Sequence, residues 1–353
     1  MLKKADKIKV GIIGYGGMAD WHRRKMRQSG LYEAVAVFDI AESAEKRAEA
    51  HNLIVYNSAD GLLANPAIEA VLIATPNDVH EFYALKALGS GKHIICEKPV
   101  TLSSVSLQKI IDAAIDANKV FTVHQNRRWD KDYLIVKKIH DKALAGNIYK
   151  IESNVTGSRG LPGEWRCIRA RGGGMLWDWG VHLVDQILCM HAGRVTGVTC
   201  RASYVYGYDC DDGVYLTIDF EDGFQANINL DTNKFIRTPR WYVFGLDGTA
   251  VIEGWSCRGK IVKAKTFFDK KNKGIQAGNG FTKTMAERSK STLIIKSLPK
   301  VKNYPFEFYK NFYECVRNNA EPIISHKSVM RCMKVLEAAF KSINDKTTIK
   351  TNI

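Results

Sequence analysis

Short apolar runs alternate with helix-like segments through the first 125 residues, and this alternation restricts the fold more than any other feature of the chain. Ile8–Gly14 reads as a buried strand running into a glycine turn. Ala34–Phe38, Ala70–Ala74, His93–Cys96 and Val120–His124 read as four more strands. Between them 43–51, 80–90 and 103–118 read as helices, and Gly91 serves as a cap beyond the second. Strands separated by helices return in the same direction, which predicts parallel βαβ units in a doubly wound sheet.

The second half has a different rhythm. Strand-like runs at 149–156, 195–206, 214–220, 225–230, 240–244 and 250–253 are separated by turn signals such as Asp222-Gly223 and Asp247-Gly248. That pattern predicts a mainly antiparallel sheet. Helices over 306–318 and 327–344 would cover one face and pack back on the rest. The expected fold is therefore α/β, with one domain over 1–125 and a second, α+β domain over 126–353. A length of 353 residues suits two domains of roughly 150 residues or more.

Composition removes several classes. Hydrophobic residues make up 45% and charged residues 25%, ordinary values for a globular chain. No apolar run approaches the roughly 20 residues that span a bilayer. The basic N-terminus precedes a short, glycine-broken apolar stretch, which reads as a strand rather than a signal peptide, so a cytoplasmic location is expected. The net charge is +15, but residues 258–302 hold 13 Lys or Arg against Asp269 and Glu287, a local +11. The excess reads as a solvated insertion or loop, or as an anion or partner surface. No zinc-finger or RNA-recognition signature accompanies it, which argues against nucleic acid as the partner. Eight cysteines include no C-x-x-C pair, so no metal site is expected.

Gly14-Tyr15-Gly16-Gly17-Met18-Ala19 fits G-x-G-x-x-A at a strand-to-helix turn. The first glycine permits the tight turn, the second lets backbone approach a pyrophosphate, and Ala19 allows close helix packing. Asp39 ends the second strand, 20 residues later. A carboxylate there accepts from ribose hydroxyls and repels a 2′-phosphate, which favours NAD over NADP.

Two further clusters carry chemistry. Cys96-Glu97-Lys98-Pro99 follows the fourth strand, where ligands of doubly wound sheets bind. Further on, Gly172-Gly173-Gly174 precedes Asp178, His182 and Asp185. Asp178 and His182, four apart, share one face of a helix, and a histidine with a carboxylate one turn earlier is an acid/base candidate.

Together with Thr75-Pro76-Asn77 and His80, these motifs resemble the Gfo/Idh/MocA oxidoreductase family over most of the chain. The resemblance implies a Rossmann domain, a second domain with an open, mainly antiparallel sheet that often forms subunit contacts, and hence a homo-oligomer. It implies hydride transfer between a nicotinamide cofactor and a hydroxyl of a sugar, glycoside or inositol. The matching catalytic positions are Lys98, Asp178 and His182. Cofactor contacts are expected from Gly14, Tyr15, Gly16, Gly17, Met18, Asp39, Thr75, Pro76, Asn77, His80, Glu97, Lys98 and Asn126, the last within His124-Gln125-Asn126-Arg127-Arg128. His182, oriented by Asp178 or by substrate, is expected as the base, with Lys98 on the same oxygen and as the rival proton acceptor. Arg159, Trp165 and Arg166 are expected to line the substrate pocket, since Arg donates to hydroxyls and Trp stacks on sugar C–H faces. Some family members keep NAD between turnovers. A nucleotide-sugar dehydrogenase and a non-catalytic NAD-binding regulator are the competing readings.

Overall fold

A computed structural model describes residues 6–266 and 274–353. Residues 1–5 of the basic N-terminus and 267–273 of the basic segment lie outside the described residues. The first sheet contains β1 (Ile8–Ile13), β2 (Tyr32–Phe38), β3 (Ile54–Val55), β4 (Ala70–Ile73), β5 (His93–Cys96) and β6 (Phe121–Val123). All neighbours are parallel, in the order β3-β2-β1-β4-β5-β6. Helices α1 (Gly17–Ser29), α2 (Glu42–Glu49), α3 (Ala59–Ala64), α4 (His80–Gly89) and α5 (Ser104–Asp116) connect them. The central strands are buried on both faces, which is why they read as near-continuous apolar runs. The two-residue β3 and the six-residue α3 are too short to leave a periodic signal, and sequence reading passed over both. Strand order reverses between β1 and β4, and a crevice opens beyond their carboxyl ends.

After α6 (Lys131–Asp141) come β7 (Ile148–Thr156), α7 (Val181–Met190), β8 (Val195–Ser203), β9 (Gly213–Phe220), β10 (Gln225–Asp231), β11 (Trp241–Gly245), β12 (Gly248–Ile252) and β13 (Gly259–Ala264). A small hairpin, β14 (Ile275–Ala277) with β15 (Gly280–Thr282), then leads to β16 (Leu293–Ser297), α8 (Glu307–Asn318), α9 (His326–Asp345) and β17 (Ile349–Lys350). Nine strands form the second sheet, in the order β16-β13-β12-β11-β7-β10-β9-β8-β17. Its pairings are antiparallel except β10 with β7. The basic segment is thus more than a loop, because β13 and β16 extend the sheet at one edge. One face carries Tyr149, which is half exposed, the cross-strand set Thr217, Asn227, Glu152 and Tyr242, and Tyr215 two residues from Thr217 along β9. Among the described residues no helix is long and apolar enough to cross a membrane.

The connection between the sheets is pinned by buried charge. Arg128 grips Asp185 of α7 with two hydrogen bonds, 2.6 and 2.8 Å, and also donates to Ser328 of α9 and the Ile323 carbonyl. Asp132 takes the indole N–H of Trp241 at 2.8 Å and lies 3.1 Å from Arg240. Asp185 is therefore a structural anchor. Replacing it with alanine would strand a buried guanidinium, so Asp185→Ala should cost about 3–5 kcal/mol of stability. Urea unfolding checks this, and a loss below about 1 kcal/mol would remove the clamp from the account.

Candidate active site

The crevice holds a cavity of about 440 Å³ that runs from the glycine turn to the start of α7. Gly14 occupies φ +85°, and a Cβ there would meet the Ala74 carbonyl group at 2.8 Å, so glycine is required on both counts. Gly16 and Gly17 have nothing within 4 Å of where a Cβ would stand. Open space therefore lies over the first turn of α1, whose leading N–H groups point outward. Asp39 borders the cavity and accepts from the backbone N–H of Tyr15 at 2.6 Å and of Ala41 at 2.8 Å. These features fit a dinucleotide: a cradle for a pyrophosphate, and a fixed carboxylate for ribose hydroxyls.

Gly14, Gly16, Gly17, Met18, Asp39, Thr75, Pro76, Asn77, Glu97, Lys98 and Asn126 all border this cavity, as do Trp165, Arg166, Asp178 and His182. Three expected contacts do not. The Tyr15 ring is buried, its hydroxyl 2.9 Å from His51, so only its backbone serves the turn. His80 is fully buried, 2.9 Å from the Pro99 carbonyl and 3.0 Å from that of Thr75. It ties the β4 loop to the Lys98–Pro99 turn, whose peptide bond is cis, instead of facing a ligand. Arg159 is exposed and stands away from the cavity.

Behind Lys98 sits a cluster that sequence reading missed. Glu97 is buried, and one of its oxygens lies 2.7 Å from His22 Nε2 and 2.7 Å from His124 Nδ1. These are hydrogen-bond lengths, so both rings donate to one carboxylate. The Tyr309 hydroxyl of α8 then bonds the other His22 nitrogen at 2.9 Å. Burial alone would raise the Glu97 carboxyl, but the two histidines hold it well below the usual range. Burial, helped by His124, pushes His22 down to about 4. The signal was available, because His124 follows β6 just as Lys98 follows β5, and both sit at the ligand-binding edge.

At the reactive end, Lys98 Nζ donates to Asp178 Oδ1 at 2.7 Å and to the Asp178 carbonyl at 2.8 Å. Burial would raise Asp178, yet the lysine holds it below the usual carboxylate range. Leu176–Gly180 is a π-helical turn running into α7, and it presents Asp178 and His182 to the same cavity. Asp178 is engaged by Lys98, so of the two orientations expected for His182, by Asp178 or by substrate, the structure does not form the first. Among the described residues the buried His182 Nδ1 atom has no hydrogen-bond partner. Burial first, then Lys98 and Arg127, push His182 well below its ordinary value and keep it neutral. Arg127 itself lies 4.0 Å over the Trp179 ring and bonds Asp130 at 3.0 Å.

Comparisons with known proteins agree with this geometry. Residues 8–125 match the family model described as "Oxidoreductase family, NAD-binding Rossmann fold", and 133–251 match "GFO/IDH/MocA C-terminal domain". The chain is 25% identical to the scyllo-inositol 2-dehydrogenase (NADP(+)) IolW of Bacillus subtilis, over 98% of this chain and 97% of that one. Inositol 2-dehydrogenase 2 of Saccharopolyspora erythraea is 25% identical over 64% of this chain and 67% of its own. A solved NAD-binding protein from Listeria innocua is 39% identical with a TM-score of 0.90, covering 98% and 97% of the two chains.

The chain belongs to the Gfo/Idh/MocA family. It is an NAD(P)-dependent oxidoreductase with a Rossmann sheet and a second, mostly antiparallel sheet.

The buried histidines make this oxidoreductase acid-sensitive. His22 and His93 are held down to about 4, and burial also lowers His80, His182 and His191. A histidine with a depressed folded value stays neutral in the native state and is protonated first on unfolding. Stability is therefore lost as pH falls from about 6.5 towards 4. Asp211, raised by burial to about 6, and Asp130, also raised by burial, act in the opposite sense, but they are two groups against five. The urea midpoint should decline steadily between pH 7 and 4.5; a level midpoint down to pH 5 would contradict this balance.

Proposed function

We propose that the protein is a dehydrogenase that moves a hydride between NAD and a secondary hydroxyl of a sugar, glycoside or inositol. One observation carries this reading: a lysine–carboxylate pair and a neutral histidine border the same cavity as the glycine cradle. The inositol dehydrogenase relatives support the substrate class.

The glycine turn and Asp39 would hold the dinucleotide, which would supply the hydride acceptor for oxidation and the donor for reduction. Lys98 Nζ donates to the reacting oxygen and stabilises the charge that builds there as its proton leaves. Asp178 holds that ammonium in place from the opposite wall. His182, neutral and bordering the cavity, takes the hydroxyl proton. The cations that keep it neutral also make it a reluctant base, so it accepts only as negative charge forms on the adjacent oxygen. Trp165 and Trp179 border the same space and offer flat faces to the C–H side of a ring.

Purified protein with NAD and a panel of sugars, glycosides and inositols should yield a product two mass units lighter, with a keto-sugar acceptor added in case NAD is retained. His182→Ala and Lys98→Met should each lower kcat by about 10²–10⁴ while dinucleotide affinity changes little. Near-normal turnover in His182→Ala would transfer the base role to Lys98.

Asp39 supports a preference for NAD, because its fixed carboxylate would repel a 2′-phosphate. Wild type should bind NADH more tightly than NADPH by fluorescence titration, and Asp39→Ser should reduce that ratio by about tenfold or more, a loss of about 1.4 kcal/mol. Equal affinity for both in wild type would contradict the preference. The uncovered sheet face with Tyr149, Tyr215 and Tyr242 suits a second copy of the chain, so we infer a homo-oligomer, to be read by sedimentation.

A further inference from the structure

We propose that the substrate carries a carboxylate and that Arg166 binds it, so that the enzyme acts on a sugar or polyol acid in preference to a neutral polyol. This rests on the dehydrogenase reading and narrows its substrate class.

The first ground is a charge inventory of the cavity. Its lining cations are Lys98, Arg127 and Arg166, and its lining acids are Asp39 and Glu97, both tied up by hydrogen bonds, Asp178 and Glu164. Lys98 is closed on Asp178 at 2.7 Å, and Arg127 on Asp130 at 3.0 Å. Among the described residues Arg166 has no acidic partner. Its guanidinium lies over the Trp165 ring, 4.5 Å from the centroid. Stacking occupies the flat face of a guanidinium and leaves its edge N–H donors available for a planar anion.

The second ground is that this position is built. The Arg166 carbonyl accepts the Gly174 N–H at 3.0 Å, and Cys210 Sγ lies 3.5 Å from the same oxygen. A Cβ on Gly173 would stand 2.5 Å from that carbonyl. The triglycine therefore lets the Trp165–Arg166 turn settle directly onto the segment that supplies Asp178 and His182. The guanidinium is held at the reactive end, where its charge reaches Asp178. The cradle for the cofactor's phosphates lies at the other end, over Gly16 and Gly17.

The third ground is the size of the charge. One unpaired cation matches one negative charge. A phosphate would bring close to two, and the exposed Glu164 at the same rim repels a dianion about twice as strongly as a monoanion. A monoanionic carboxylate is the better match.

The test compares glucose with glucuronate and galactose with galacturonate, in the presence of NAD, with product mass and kcat/KM as readouts. The acid should be the better substrate in at least one pair. Arg166→Gln should lower the acid-to-neutral ratio of kcat/KM by about 10–100-fold, and Arg166→Lys should restore part of it. NADH affinity, followed by tryptophan fluorescence, should change less than the ratio does. Neutral substrates turned over as well as acids, with a ratio that Arg166→Gln leaves unmoved, would overturn the inference and leave the dehydrogenase reading standing. A weakened NADH affinity with an unmoved ratio would assign Arg166 to the cofactor's phosphates and overturn it too. A clear preference for sugar phosphates or nucleotide-sugars would also overturn it. Absence of hydride transfer from every sugar, acid or neutral, would overturn both readings together.

Discussion

A carboxylate buried behind the Lys98 turn orders the active end of this molecule. Glu97 receives His22 from α1 and His124 from just after β6, each at 2.7 Å, and His22 is held in turn by Tyr309 of α8. Two separate stretches of chain therefore converge on one side chain, a third braces them through His22, and the next residue is the lysine that faces the cavity. A buried charge left without donors is expensive, so the cluster forms completely or costs stability. Its completion fixes where β5 ends and where Lys98 begins.

Across the cavity the second sheet performs the complementary task. The π-helical turn at Leu176–Gly180 brings Asp178 onto the Lys98 ammonium, and the N-terminal end of α7 supplies His182. Asn77 of the β4 loop donates to the Gly172 carbonyl at 2.8 Å and joins the two walls beside the triglycine. With Arg128 clamped on Asp185 a short distance away, the two layers are held in one register. The site belongs to neither sheet alone, because its lysine comes from one and its histidine from the other.

Much of this was legible in one dimension. The alternation of apolar runs and helices predicted a parallel sheet, since strands buried on both faces are near-continuous apolar runs and the helices between them return the chain in the same direction. The glycine turn, Asp39, Lys98, Asp178 and His182 stood out because their residue types and spacing suit a phosphate cradle and proton transfer. All five elements border one cavity. Other expectations did not survive contact with packing. His80 follows a motif that lines the cavity, but its ring turns inward between two carbonyl groups. Tyr15 sits inside the glycine fingerprint, yet its ring packs away from the space the glycines leave. Arg159, Trp165 and Arg166 were indistinguishable as sequence; two border the cavity and one lies outside it.

The amino-acid order by itself determined the class of fold and the reactive groups available, because periodicity and backbone geometry are local properties that each segment carries with it. Only the tertiary structure decided which groups meet. Asp178 pairs with Lys98, 80 residues away, instead of with His182 four residues on. Glu97 is held by residues 75 positions before it and 27 after it. Hydrogen bonds and ion pairs act over a few ångströms and require directed geometry, so partners far apart in the chain exist only after two sheets and the helices on them have closed around the crevice.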